Sequence, residues 1–319
     1  MAGEFDLIAR YFDWPAPPGV LGVGDDCALL PVAEGHRLAV TTDLLVEGRH
    51  FFSGADPESL GHKSLAVNVS DLAAMGARPL GCVLGLSLPH VDEAWLAGFA
   101  HGFRALADAV GCPLIGGDTT RSEQGIIISV TAMGEVPAAA ALKRSAARAG
   151  DDIWVTGTLG GPHVALELLQ GHHGEQADLL AKLRPLLERP EPPVAFGAAL
   201  SGLAHAAIDI SDGLLQDLGH VLKASACAAQ IDFACLPVHE ALRVLDTESV
   251  QRAVLSGGDV YQLCFTAPPA AAPAIHDLAA RHGVNAAIVG HIATGQGLSV
   301  IGAPLPVQQG DYSGFDHFG

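Results

Sequence analysis

The stretch KSLAVNVSDLAAMGARP, residues 63–79, limits what the rest of the chain can build. Leu65, Val69, Leu72 and Ala73 recur at helical period, and Ala66, Ala74 and Ala77 widen the apolar face. Ser64, Asn68 and Asp71 recur at i, i+4 and i+7, a narrow stripe of short polar groups without Lys, Glu or Arg. A helix this apolar has to be covered by other elements, and the stripe is carried inside with it. A buried carboxylate such as Asp71 is costly unless a hydrogen-bond donor, a cation or a metal offsets it. A hydrogen-bonded core aspartate satisfies the same pattern, so the decision rests on how many comparable acids lie elsewhere.

On either side of this helix the chain alternates strand and helix patterns. Residues 38–42 (LAVTT) read as a strand that stops at Asp43, residues 80–88 as a second strand, and residues 92–110 as an amphipathic helix. A short strand at 113–115 runs into GGDTTR, and Ile126 to Val130 closes the first half as another strand. The alanine-rich segment 137–150 reads as a junction. It divides the chain into a domain at 1–137, expected to bind metal and nucleotide, and an α/β domain at 138–319 that completes the site. In the second half, strand patterns at IWVT, AAID, QIDFACL, YQLCFTA, AAIVGHI and LSVIG alternate with helices. The fold class expected is α/β or α+β in two domains.

Charge narrows the partners. With 17 Lys and Arg against 35 Asp and Glu, the chain carries −18 with neutral histidines. That argues against nucleic acid and against anionic membranes, both of which need clustered cations. The six cysteines are scattered, without C-x-x-C or zinc spacing, and read as small buried hydrophobes of a reducing compartment. The N-terminus MAGEFDLIARYF lacks a basic segment followed by an apolar one, and no apolar run approaches a membrane span. A cytoplasmic location is the expectation.

The acids are where the chemistry points. Asp26, Asp43, Asp118, Asp209 and Asp212 each sit at the end of an apolar segment among Gly, Ser or Thr, and Asp71 lies on the helix. Strand ends are where α/β proteins build ligand sites. Each acid alone is also explained by an Asx turn or a helix cap, Asp212 as the cap of the helix after it. Six together are not, because turns accept Asn or Ser as readily. If they converge they need counter-charge, and the lysines are only Lys63, Lys143, Lys182 and Lys223. Mg²⁺, bound by a few carboxylates, water and phosphate, is the fitting cation, with the Thr41 and Thr42 hydroxyls as further oxygens beside Asp43. The chemistry implied is phosphoryl transfer, in which positioning and charge neutralisation dominate. No G-x-x-x-x-G-K-[ST] and no G-x-G-x-x-G after a strand is present, so Arg144 at the junction is the candidate phosphate clamp.

Taken in order, VGDDCALL, TTDLLVEGRHF, KSLAVNVSDLAAMGARP, IGGDTTRS, LKRSAARAGD, IDISDGLLQDLGHV and GFDHF make the chain similar to the thiamine-monophosphate kinase family from end to end. The resemblance implies ATP-dependent phosphorylation of thiamine monophosphate to the diphosphate and several Mg²⁺ ions. It also implies a two-domain fold like aminoimidazole ribonucleotide synthetase, and a homodimer joined through strands of the N-terminal domain. By motif position it makes Asp26, Thr41, Thr42, Asp43, Asp71, Asp118, Asp209 and Asp212 metal ligands, and Gly117, Asp118, Arg144 and Ser211 ATP contacts. His50, Asp259 and Phe315 match positions that touch the thiamine phosphate, and an aromatic face suits a cationic thiazolium. One motif departs: the family usually reads GGEDYEL where this chain has GGDVYQL at 257–263. Rival readings are another ATP-using enzyme of that fold, or an acidic protein that binds divalent cations without catalysis.

Overall fold

The computed structural model describes residues 4–21 and 30–307, so the expectations placed on Asp26 and Phe315 lie outside the described residues. The chain divides into two units, residues 1–72 with 77–139, and residues 73–76 with 140–319.

The first unit contains α1 (Glu4–Tyr11), β1 (His36–Val46), most of α2 (Pro57–Ala74), β2 (Arg78–Leu88), α3 (Glu93–Val110), β3 (Leu114–Arg121) and β4 (Ile127–Pro137). Its four strands lie in the order β1-β4-β2-β3. β4 is antiparallel to both β1 and β2, whereas β3 runs parallel to β2. A parallel neighbour needs a crossover, and α3 supplies it. Three strands run past the ends expected of them: β1 does not stop at Asp43 but stays paired with β4 as far as Val46. β4 pairs with β1 all the way from Ile127 to Pro137, and β3 continues through Gly117 and Asp118 to Arg121 against β2. Asp118 therefore sits within a strand rather than in a turn after one, because the ladder to β2 outweighs the weak local preference of a Gly-Gly-Asp run.

Strand alternation divides this sheet into two unlike faces. Cys82, Leu84, Leu86, Ile128, Val130 and Ala132 are buried on one. Leu38, Val40, Leu44 and Ile127 are exposed on the other. Helix α2 is covered all round: every residue from Gly61 to Ser70 is buried, including Lys63 and the stripe residues Ser64 and Asn68.

The second unit holds β5 (Asp152–Thr156), α4 (Gly161–Leu169), α5 (Ala177–Glu188), α6 (Val194–Ala199), β6 (Ala206–Asp209), α7 (Leu214–Ser225), β7 (Ala228–Asp232), α8 (Thr247–Ser256), β8 (Leu263–Ala267), α9 (Ala272–His282), β9 (Ala286–Ala293) and β10 (Gly297–Ile301). The strands form one sheet in the order β10-β7-β9-β5-β8-β6. Ile153, Val155, Ile208, Leu214, Leu218 and Val221 pack in one core, which seats α7. Trp154, on the alternate side of β5, stacks on Phe265 at 5.8 Å between centroids. Among the described residues the cysteines are all free thiols; Cys82, Cys112 and Cys264 are buried, but Cys235 is exposed, against the expectation for the set. No described helix is long and apolar enough to cross a membrane.

Candidate functional site

In the first unit the site is assembled where β1 meets α2. Thr41 and Asp43, two residues apart, share a face of β1. The Thr41 hydroxyl donates to Asp71 Oδ2, and the Asp43 backbone N–H donates to Asn68 Oδ1 at 3.1 Å. Asn68 Nδ2 in turn donates to the Ser64 carbonyl at 3.2 Å, and Ser64 Oγ to the Leu60 carbonyl at 2.7 Å. The polar stripe of α2 therefore has three separate tasks. Ser64 turns back on its own helix, Asn68 fixes the strand, and Asp71 receives the threonine. Burial, then the nearby Asp71 carboxylate, pushes the Asp43 carboxyl up to about 6.

Thr42 does not join this group. Strand alternation turns its side chain to the opposite face, where the hydroxyl donates to the Val130 carbonyl at 3.1 Å and lies 2.8 Å from Thr131 Oγ1. The expectation of a Thr42 hydroxyl beside Asp43 is corrected on that ground. His50 lies in the turn after β1. Its Nδ1 accepts the Val46 N–H at 3.0 Å, so the neutral ring carries its proton on Nε2. Asp118 is exposed on β3. Beside it, Gly117 brings β3 so close to β2 that a Cβ would stand 2.0 Å from the Leu84 carbonyl oxygen.

In the second unit the candidate residues lie in the segment that links β6 to α7. Asp209 ends β6 and is buried. Asp212 does not cap α7 as a free N-cap would: the cap position is Gly213, without a side chain. Instead Asp217, inside the first turn of α7, accepts N–H groups from Ser211, Asp212 and Gly213 at 3.1, 3.1 and 3.0 Å. Burial lifts its carboxyl to about 7 even though those three donors favour the charged form. Gln216 Nε2 donates to Asp212 Oδ2 at 3.2 Å. Asp217 and Gln216 escaped the reading of the sequence; the available signal was an acid within the first helical turn after Ser-Asp-Gly. Arg144 is exposed on a short 3₁₀ turn whose backbone is held by Ser225, the Ser225 hydroxyl donating to the Arg144 carbonyl at 2.7 Å.

The GGDVYQL segment follows α8. Asp259 and Tyr261 both hold left-handed backbone, with φ of 60° and 50°, and Tyr261 OH donates to Asp259 Oδ1 at 3.2 Å. Val260 is buried in the core. Gln262 accepts from Thr156 Oγ1 at 2.8 Å and donates to the Glu191 carbonyl at 2.9 Å. Two of the three departures from the family motif are therefore internal supports.

The donor set suits a hard cation. Asp43 and Asp71 are both carboxylates, and every cause acting on Asp43 opposes its charge. A divalent cation relieves the burial and the repulsion together. Among the described residues, no three His, Cys, Asp or Glu side chains gather as a metal cage. Mg²⁺ does not require one, since water and phosphate oxygens complete its octahedron.

Two models of known families match the chain. The AIR synthase related protein N-terminal domain covers residues 24–136, and the AIR synthase related protein C-terminal domain covers residues 148–303. With the two sheets, they define a two-domain protein of the AIR synthase related class. The thiamine-monophosphate kinase of Escherichia coli K12 is 47% identical over 99% of this chain and 98% of its own. The crystal structure of thiamine-monophosphate kinase from Stenotrophomonas maltophilia superposes with a TM-score of 0.84 at 45% identity, covering 94% of this chain and 95% of that one. AaThiL complexed with AMPPCP and TMP gives 0.79 at 30% identity, over 91% of this chain and 90% of that one. The chain belongs to the thiamine-monophosphate kinase family. The hydrogenase maturation protein HypE, at 21% identity and a TM-score of 0.72 over 96% of this chain and 95% of its own, shares the fold.

Proposed function

We propose that this chain transfers the γ-phosphoryl group of ATP to the phosphate of thiamine monophosphate, giving thiamine diphosphate and ADP. The observation that carries this reading is a near-full-length likeness to a thiamine-monophosphate kinase, at 47% identity. The acceptor is already an anion at neutral pH, so the site has no proton to remove before attack. What it must supply is alignment of two anions and relief of their repulsion. Asp43, Asp71, Asp118, Asp209 and Asp212 are the side chains proposed to hold Mg²⁺, with Asp26, the Thr41 hydroxyl and the backbone of Thr42 beside them. Bound there, several Mg²⁺ ions would neutralise phosphate charge. Thr41 orients Asp71, and Asn68 holds the backbone of Asp43. Gly117, Asp118, Arg144 and Ser211 are assigned to ATP, and His50, Asp259 and Phe315 to thiamine monophosphate.

A homodimer in the cytoplasm completes the proposal. The exposed Leu38, Val40 and Leu44 on the open face of the first sheet support the dimer, since an apolar patch of that kind is a common contact surface.

The test is to mix the protein with ATP, Mg²⁺ and thiamine monophosphate and to follow thiamine diphosphate and ADP together. ADP without thiamine diphosphate would favour another ATP-using enzyme of this class. Cation binding without either product would leave an acidic binding protein.

A further inference from the structure

Three consecutive amides, those of Ser211, Asp212 and Gly213, converge on one oxygen, Asp217 Oδ2, at 3.0–3.1 Å. Successive N–H groups aimed at one point form an anion-binding nest. Here the anion is the chain's own, on a residue only 2% exposed. An ordinary N-cap precedes its helix and satisfies donors inside it. Asp217 does the reverse: it lies within α7 and reaches back to donors that precede the helix. Its ordering effect falls on the turn rather than on the helix.

The same turn templates a second segment. Asp259 N–H donates to the Ser211 carbonyl, Tyr261 N–H to the Ile210 carbonyl and Ile210 N–H to the Gln262 carbonyl, each at 2.8 Å. Gly258 lies so close that a Cβ there would stand 2.5 Å from the Ser211 carbonyl oxygen. Left-handed backbone at Asp259 and Tyr261 is unfavourable for residues with a side chain and persists only where neighbours over-determine it. Those neighbours are the carbonyls of the turn that Asp217 pins. Gln216, next to Asp217, aims the Asp212 carboxylate.

We propose that Asp217 is a positioning residue for both substrates. One buried carboxylate fixes the turn that presents Ser211 and Asp212 to the metal-bound nucleotide. Through that backbone it also fixes the strained loop that presents Asp259 to thiamine monophosphate. The proposal rests on the reading of this chain as a kinase.

Two substitutions of the full chain test it, Asp217→Leu, which removes the acceptor, and Asp217→Asn, which keeps the shape without the charge. Leu222→Ala, a core change at the far end of α7, serves as the control for lost stability. In Asp217→Asn, the KM for thiamine monophosphate and the Mg²⁺ concentration for half-maximal rate are both expected to rise about tenfold, the scale of a lost charge-assisted hydrogen bond. Asp217→Leu is expected to lose about a hundredfold or more in kcat/KM. It should also accelerate hydrogen exchange in two peptides, 209–213 and 257–262. Leu222→Ala should lower the melting temperature while leaving both constants and both peptides unchanged. Wild-type constants in Asp217→Leu, or faster exchange confined to 209–213, would overturn the proposal. Should Asp217→Leu fail to fold, Asp217→Asn decides it by the same readings. A wild-type protein that makes no thiamine diphosphate would refute the kinase reading, and the exchange of the two peptides would still decide whether Asp217 couples turn to loop.

Discussion

The hydroxyl of Thr41 donates to Oδ2 of Asp71, tying the middle of β1 to the last turns of α2. That bond explains how a carboxylate is tolerated on a helix whose preceding ten residues are all buried. It also leaves Asp71 close enough to Asp43 to oppose the latter's ionisation. A group arranged in this way is expensive as architecture and useful as a cation site.

Asp71→Asn should therefore separate function from stability. Thiamine diphosphate formation is expected to fall by about a hundredfold to a thousandfold, the range lost when one preorganised electrostatic group is removed from an active site. The melting temperature of the metal-free protein should stay level or rise, because Asp43 no longer faces a second negative charge. Asp118→Asn should show a similar loss of turnover. Wild-type rates in either variant would remove that residue from the site.

Gly117→Ala tests the seating of Asp118. A Cβ at 2.0 Å from the Leu84 carbonyl cannot be accommodated without separating β3 from β2. Denaturant titration should show a loss of about 1–3 kcal/mol, the usual cost of overpacking. Unchanged stability would mean that the strand approach is looser than described.

Gln262→Leu addresses the altered GGDVYQL motif. Its amide joins Thr156 to the Glu191 backbone. Losing it should cost about 1–3 kcal/mol, because the buried Thr156 hydroxyl is left without its acceptor. The KM for thiamine monophosphate should hardly move. A large rise in KM with full stability would instead make Gln262 a substrate contact.

Acid stability should report on Glu135. The Ala33 N–H, then Arg78, hold its carboxyl below the usual glutamate range. A depressed carboxyl contributes stability that is complete above the unfolded-state value and is lost as pH falls through the folded one. The stability gap between wild type and Glu135→Gln should be constant above about pH 4.3 and close below it. A gap that persists in stronger acid would assign the effect to shape rather than charge.

Val40→Glu with Leu44→Glu probes the open face of the first sheet. Both positions are more than half exposed, at 59% and 57%. Light scattering is expected to give a dimer for wild type and a monomer for the double variant. A wild-type monomer would end the dimer proposal.

Much of this molecule was legible in its amino-acid order. The helical period around Asp71, the strand through LAVTT and the Ser-Asp-Gly turn before α7 are local patterns, and local patterns survive in the linear chain. The same is true of the motif set that marks the family, because those residues are spaced by the chemistry they serve. Even the division between Thr41 and Thr42 was written in the two-residue period of a strand, although only the position of α2 says which of the two meets Asp71.

What the tertiary structure alone decided are the pairings. β3 and β4 extend beyond their apolar runs because hydrogen bonds to β2 and β1 are made with residues distant in sequence. Asp217 looks like any acid in a first helical turn until its oxygen is seen at the focus of three amides. Val260 and Gln262 read as lost acids until their surroundings show them as supports. Burial and hydrogen bonding depend on what arrives from elsewhere in the chain, and no local pattern carries that information.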